Sequence, residues 1–276
     1  MKFGIFTNLN RDIKCNACKR FTDILDKKNV EYLVCDNAKE YYPNNKLNTI
    51  DEVIKFCDLM IVFGGDGTML NISSKCTPLN KKIFGINMGK IGFLTEIDQS
   101  EIQLAVEKLI DNDFTVEDRL VLKIEVNNNS YYAINEVLLS SIDNCHVVSV
   151  DIDIDNIFAD KVRGDGVLVS TPTGSTAYSL ACNGPILSPS VDALLINMVC
   201  PHTLHSCPLV IDGDSVVTLR TQSGNMKMLI DGKVINTFKE NVIIKVSKSN
   251  YKARFIRLKN INFYHKLLQK LSYWGD

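Results

Sequence analysis

Apolar residues near the start of the chain fall into short continuous runs at positions 2–7, 30–35, 59–63 and 83–86. Runs of that length, bounded by helical stretches such as residues 14–28, are what strands covered on both faces require. They predict an α/β N-terminal domain with a parallel, doubly wound sheet, whose ligand sits at the carboxyl ends of the strands. From about residue 120 the pattern shortens and alternates, at 120–126, 131–139, 147–154, 215–220, 226–230 and 242–246. This predicts an antiparallel all-β C-terminal domain, with Asn127, Asn128 and Asn129, and again Ser223, Gly224 and Asn225, as hairpin turns. One helix is expected inside it, at 173–182, ended by Asn183 and Gly184. The tail 262–273, with Phe263, Leu267, Leu268 and Leu271, reads as an amphipathic C-terminal helix packing back on the first domain. The expected division is therefore 1–100, 101–257 and 258–276, with no internal repeat and no low-complexity linker.

Composition narrows the class. The 276 residues, 45% hydrophobic and 23% charged, are ordinary for a globular chain of two modest domains. Basic and acidic residues, 31 and 32, are intermixed to a net charge of −1, so no nucleic-acid footprint is present and no nucleic acid is expected as a partner. No run reaches the roughly eighteen apolar residues of a membrane helix, and the first residues already read as a strand, so the expectation is a cytoplasmic protein with no membrane partner. The nine cysteines are scattered, mostly within apolar runs, as reduced core thiols would be. Cys15 and Cys18 form a CxxC without a second pair at zinc-finger spacing. His202 and His205 have no third ligand nearby in sequence and read as loop or packing residues.

The candidate chemistry begins where the run 59–63 enters Gly64, Gly65, Asp66, Gly67 and Thr68, followed by a helical stretch. Glycines there let backbone approach a ligand, and a helix N-terminus favours phosphate. Asp66 does not suit simple phosphate binding. A carboxylate among such amides is repelled by the ligand unless it holds Mg²⁺ or takes a proton from an attacking hydroxyl. The plain alternative is a turn in which Asp and Gly supply unusual dihedrals. The spacing matches neither a Walker loop nor GxGxxG.

Gly64 to Thr68 resembles the GGDGT signature common to NAD kinases and to diacylglycerol and sphingosine kinases. Asn87 to Thr95 (NMGKIGFLT), Asn135 to Leu139 (NEVLL), Arg163 to Tyr178 (RGDGVLVSTPTGSTAY), Pro201 to Val210 (PHTLHSCPLV) and the pair Asp231, Gly232 are similar to the NAD kinase set in order and spacing, over nearly the whole chain. The resemblance implies a kinase, a transferase that moves the γ-phosphoryl of ATP, or a phosphoryl of polyphosphate, to the 2′-hydroxyl of the adenosine ribose of NAD, making NADP. It implies Asp66 as the base and Gly64, Gly65, Gly67 and Thr68 around the donor and pyrophosphate. It also implies Asn135 and Glu136 on ribose hydroxyls, and Asp165, Thr176, Ala177 and Tyr178 around the nucleosides, with Arg163 steadying Asp165 or a phosphate. Asp231 belongs to the same nucleotide-binding set. Tyr178 reads equally as a core aromatic, and Phe93 as a pocket or packing residue.

Magnesium would arrive with ATP rather than on fixed protein ligands, and the site would lie in a cleft between the domains. A homodimer or homotetramer is the implied assembly. Ala181 and Cys207 depart from the family's usual Ser and Arg, which bears on donor handling rather than on reaction type. A lipid kinase and a non-catalytic NAD-binding sensor are the competing readings. The first needs an acyl pocket, and the second has no use for Asp66.

Overall fold

The computed structural model describes all residues except 44–47, 90–91, 143–146, 204–205, 223–224, 260–261 and 273–276, and the side chains at 271–272. The chain forms two compact units, Met1–Asp118 with Ala253–Asp276, and Arg119–Lys252. The divisions thus fall at 118/119 and 252/253 rather than at the 100 and 257 expected from the change of pattern.

The first unit alternates β1 (Phe3–Thr7), α1 (Asn16–Lys27), β2 (Tyr32–Val34), α2 (Ile50–Phe56), β3 (Leu59–Gly64), α3 (Asp66–Cys76), β4 (Lys82–Asn87), β5 (Ile97–Asp98) and α4 (Ile102–Ile110). The strands lie parallel in the order β2-β1-β3-β4. Every residue of β3 is buried, which explains its unbroken apolar run. α1 buries Ala17, Cys18, Phe21 and Leu25 on one face, with Phe21 edge-on to both Phe3 and Phe63. Its start is fixed by Asp12, which accepts the N–H groups of Ala17 and Cys18 at 2.9 and 3.1 Å. α2 begins with a Thr49–Glu52 capping box.

The second unit contains β7 (Asn129–Ala133), β8 (Glu136–Ser141), β9 (Val148–Ile154), β10 (Ile157–Gly164), β11 (Gly166–Ser170), α5 (Tyr178–Ala181), β12 (Ala193–Val199), β13 (Leu209–Asp212), β14 (Val217–Thr221), β15 (Met226–Ile230) and β16 (Lys233–Phe238), together with β6 (Thr115–Val126) from Arg119 onward and β17 (Ile243–Arg257) as far as Lys252. The chain enters it along β6 and leaves along β17. One antiparallel sheet runs β13-β12-β11-β8-β15-β16, and a second antiparallel set joins β10, β9, β14 and β17. Leu122, Val150, Val167, Ile196, Leu219, Met228 and Ile244 share one core.

Several boundaries differ from the sequence expectation. Residues 131–139 form two strands, because Asp231 draws the N–H groups of Ile134, Asn135 and Glu136 out of the ladder. β14 and β15 belong to different sheets and are not a hairpin, although Asn127 and Asn128 do turn β6 into β7 at φ 49° and 62°. Ser223 and Gly224 of the supposed second hairpin lie outside the described residues. The helix expected at 173–182 is a 3-10 turn, Gly174–Thr176, and the short α5, interrupted at Ala177 with φ −102° and ψ −128°. Asn183 has the left-handed φ of 59° expected of a C-cap. β17 runs to 15 residues because the polar stretch Ser247–Lys252 stays extended.

The last helix, α6 (Phe263–Ser272), belongs to the first unit. Phe263 packs on Phe93 at 6.0 Å, and Lys266 donates to the Thr95 carbonyl at 3.0 Å and pairs with Glu96 at 3.6 Å. Leu268, expected on the packed face, is 62% exposed, because Lys266 and Lys270 share the inward face with Phe263 and Leu267. Leu271's side chain and Tyr273 lie outside the described residues. Among the described residues no helix is long and apolar enough to cross a membrane.

Candidate functional site

In the first unit the buried strand β3 delivers Gly64 directly to the head of α3. Gly65 is the N-cap and offers no side chain to the first-turn amides, so the dipole end of α3 is left for another acceptor. Gly64 cannot carry a side chain, since a Cβ would meet Thr68 at 2.5 Å. Among the described residues, nothing lies within 4 Å of that position on Gly65 or Gly67, so packing against them is not what requires glycine there. Thr68 is held by the Asn8 side-chain amide, which donates to its hydroxyl at 2.9 Å.

Asp66 occupies the first position of α3. Its carboxylate accepts the Phe93 N–H at 2.9 Å and the Leu94 N–H at 3.0 Å, so the segment around Gly92 fixes it. Lys270 of α6 adds an ion pair at 3.0 Å and stands over the Phe93 ring at 4.3 Å. Phe93 is thus half-buried between Phe263 and Lys270. Lys90 and Ile91 of the same motif lie outside the described residues.

In the second unit a cavity of about 490 Å³ is lined by Glu136, Ser140, Asp165, Tyr178, Cys200 and Lys227, with Leu138, Val199 and Leu229 as its apolar part. Glu136 starts β8 and is almost fully buried, and among the described residues its Oε2 has no hydrogen-bond partner. Burial, then the charge of Asp231, pushes its pKa up to about 8, while an N–H from Tyr178 acts in the opposite direction. Asp231 does not line the cavity. It is a positioning residue in a left-handed turn at φ 48°, accepting three N–H groups from Ile134 to Glu136 at 2.8–3.1 Å. Burial still raises its pKa against those bonds.

The 3-10 turn approaches this strand break closely, since a Cβ on Gly174 would lie 2.2 Å from the Asn135 carbonyl oxygen. Thr176 closes the turn with its hydroxyl on the Thr173 carbonyl at 3.3 Å, and Ala177 redirects the chain so that Tyr178 faces the cavity. Tyr178 is 41% exposed, which removes the core-aromatic alternative. Arg163 is exposed on β10, not among the cavity's lining residues, and its carbonyl accepts the His202 N–H at 2.7 Å.

Sequence reasoning missed Lys270, Lys227, Ser140 and Cys200. Lysines on otherwise apolar faces give no periodic signal, and a residue's presence at a cavity wall depends on strand order. Among the described residues no group of three or more His, Cys, Asp or Glu could hold a metal ion. His205 lies outside them. Cys15 and Cys18 are buried, with the Cys18 sulfur 3.3 Å from the Tyr42 hydroxyl. Cys200 and Cys207 are exposed, unlike the core thiols expected, and Cys145 is outside the described residues.

Comparison with known proteins is concordant along the chain. The family model described as ATP-NAD kinase N-terminal domain matches residues 3–114, and that described as ATP-NAD kinase C-terminal domain matches residues 134–258. The chain is 31% identical to an NAD kinase of Caldicellulosiruptor saccharolyticus over 99% of its length and 100% of the relative's. It is 36% identical to an NAD kinase of Buchnera aphidicola over 88% of its length and 85% of the relative's. A yeast NADH kinase crystallised with NADH shares the fold, with TM-score 0.91 at 23% identity, covering 99% of this chain and 88% of that one. An Archaeoglobus fulgidus NAD kinase crystallised with ATP has TM-score 0.79 at 23% identity, covering 99% of both chains.

Proposed function

The chain belongs to the NAD kinase family, enzymes that phosphorylate NAD, and from that premise we propose that it transfers the γ-phosphoryl of ATP to the 2′-hydroxyl of the adenosine ribose of NAD with Asp66 as general base. The ribose oxygen attacks the γ-phosphorus, the bond from that phosphorus to the bridging oxygen breaks, and ADP leaves. The hydroxyl proton passes to the Asp66 carboxylate.

The observation that carries this reading is the fixed carboxylate of Asp66 at the head of α3, beside two glycines whose missing side chains open onto free space. A base must be oriented before the transition state forms, and the two N–H groups do this without occupying every lone pair. The open faces of Gly65 and Gly67 suit phosphate oxygens approaching backbone amides. Inorganic polyphosphate presents the same terminal groups, and is the second donor the reading admits.

A Mg²⁺ carried by the donor's phosphates, the usual manner for this ion, would find the Asp66 carboxylate as a nearby protein oxygen. Bound there, such an ion would supply charge neutralisation for the transferring group. In the second unit, Glu136, Asp165 and Tyr178 are proposed to receive the nucleosides, with Asn135 and Ala177 at the adjoining strand break and turn. The unpartnered Glu136 Oε2 is suited to a ribose hydroxyl. Exposed Ile157 and Phe158 on β10 and Val234 and Ile235 on β16, both sheet edges, suit a homodimer or homotetramer. A cytoplasmic setting goes with both substrates.

The test is NADP formation from NAD and Mg·ATP, read by a coupled dehydrogenase, for wild type and Asp66→Asn. The expected loss in kcat is roughly 10²- to 10⁴-fold with little change in NAD affinity. Wild-type turnover in the variant would remove Asp66 as base, and full rescue by added Mg²⁺ would make it a metal ligand.

A further inference from the structure

A phosphate-transfer site needs positive charge, yet the loop from Gly64 to Thr68 contains no basic residue and contributes a carboxylate. Among the described residues, the cation that reaches this carboxylate is Lys270, 3.0 Å from Asp66 and stacked on Phe93 at 4.3 Å. We propose that Lys270 is a further residue of the transfer site, binding the donor's terminal phosphates and releasing Asp66 as it does so. The proposal rests on the kinase reading above, which it deepens.

Three observations support it. Asp66 is already oriented by the N–H groups of Phe93 and Leu94, so Lys270 is not needed to hold it. The side chains of Lys270 and Asp66 are only partly covered, 23% and 29% exposed, so an incoming phosphate can reach the pair and compete with Asp66 for the ammonium. Finally, α6 is anchored one turn earlier by Lys266 on Glu96 and the Thr95 carbonyl, and at its start by Phe263 on Phe93. Lys270 lies four residues beyond Lys266 on the same face, so a fixed helix presents a flexible four-carbon arm. The open positions over Gly65 and Gly67 leave room for the phosphates it would meet.

Exchange of partners also gives the base a use for its lysine. While paired, Asp66 has a balanced charge. Once the ammonium turns to the incoming phosphates, the carboxylate regains the lone pair that accepts the hydroxyl proton. Any donor with a terminal phosphate chain meets the same chemistry, so ATP and inorganic polyphosphate are separate arms of the test.

The experiment compares wild type, Lys270→Ala and Lys270→Arg for kcat, for KM of ATP, polyphosphate and NAD, and for Tm. The expected result is a KM for the donor raised at least about tenfold in Lys270→Ala, a KM for NAD changed by less than about twofold, and a largely restored donor KM in Lys270→Arg. A rise with only one donor identifies which chain of phosphates Lys270 meets. Unchanged donor KM overturns the proposal, and so does a parallel loss of both substrates with a lowered Tm that arginine does not rescue. Calorimetric binding of Mg·ATP to wild type and Lys270→Ala repeats the comparison without turnover. If wild type makes no NADP, the kinase reading fails while Lys270 is still judged by this binding.

Discussion

Glu136 donates its backbone N–H to Asp231 at 3.1 Å while its own carboxyl, buried beside that carboxylate, is pushed up to about 8. The unfolded chain lets Glu136 ionise near 4.5, so between 4.5 and 8 the folded state holds a proton that the unfolded state has lost. Stability from this group is therefore complete below 4.5 and is lost as pH rises toward 8, by on the order of a few kcal/mol. Glu136→Gln, neutral throughout, should keep more of its Tm than wild type between pH 5 and pH 9. Calorimetric Tm values at three pH values check this, and parallel curves for the two proteins would refute it.

Asp231 is a different kind of residue, since it meets backbone rather than the cavity. Asp231→Ala leaves three N–H groups without their acceptor and puts a Cβ-bearing residue without a polar side chain at φ 48°. The expected cost is roughly 3 kcal/mol in urea unfolding. Asn keeps one acceptor oxygen and tolerates the left-handed turn, so Asp231→Asn should lose clearly less. A cost below about 0.5 kcal/mol for the alanine variant would show that the three bonds are not a stabilising unit.

Exposure separates the cysteines. Five of the eight among the described residues are buried, and burial pushes the Cys57 thiol up to about 11. Brief treatment with a thiol-labelling disulfide should therefore mark Cys200 and Cys207 first among them, as peptide mapping would show. A chelator that takes zinc and spares Mg²⁺ should leave turnover intact. Loss of activity together with released stoichiometric zinc would contradict this.

The parts of the fold that were legible were those where one periodicity fills a whole element. β3 is apolar throughout and β4 from Ile83 to Ile86 because both faces are covered there, and the glycine run after β3 marked the head of α3. What escaped was set by contacts distant in sequence. Asp231 breaks the strand at Asn135 from nearly a hundred residues away, and the close approach of Gly174 to Asn135 shortens the expected helix. In α6 the hydrophobic pattern pointed to Leu268, whereas Lys266 and Lys270 turn inward because Glu96 and Asp66 await them. At the candidate site, Asp66 stood out as a misfit charge, while its lysine partner lay 204 residues further on.

Gly92 and Gly67, both close to Asp66, should respond to alanine in opposite ways. A Cβ on Gly92 would stand 2.0 Å from the Asp66 Oδ1 and 2.9 Å from the Thr95 hydroxyl, inside a buried segment. Gly92→Ala must therefore push the carboxylate off the Phe93 and Leu94 N–H groups, lowering Tm and kcat together at a stability cost of about 1–3 kcal/mol. Gly67 lies within α3 and among the described residues a Cβ there meets nothing within 4 Å, so a methyl disturbs none of their atoms. Alanine is the better helix former by as much as about 1 kcal/mol, and Gly67→Ala should hold or raise Tm. If the donor's phosphates approach the backbone over that open position, the same methyl obstructs them, and KM for ATP should rise while KM for NAD stays near wild type. Thermal denaturation with two-substrate kinetics on both variants separates the cases. A Gly67→Ala enzyme with wild-type KM for ATP would place the phosphate path elsewhere along the loop, and a fully active Gly92→Ala would show that Asp66 does not need its two amides.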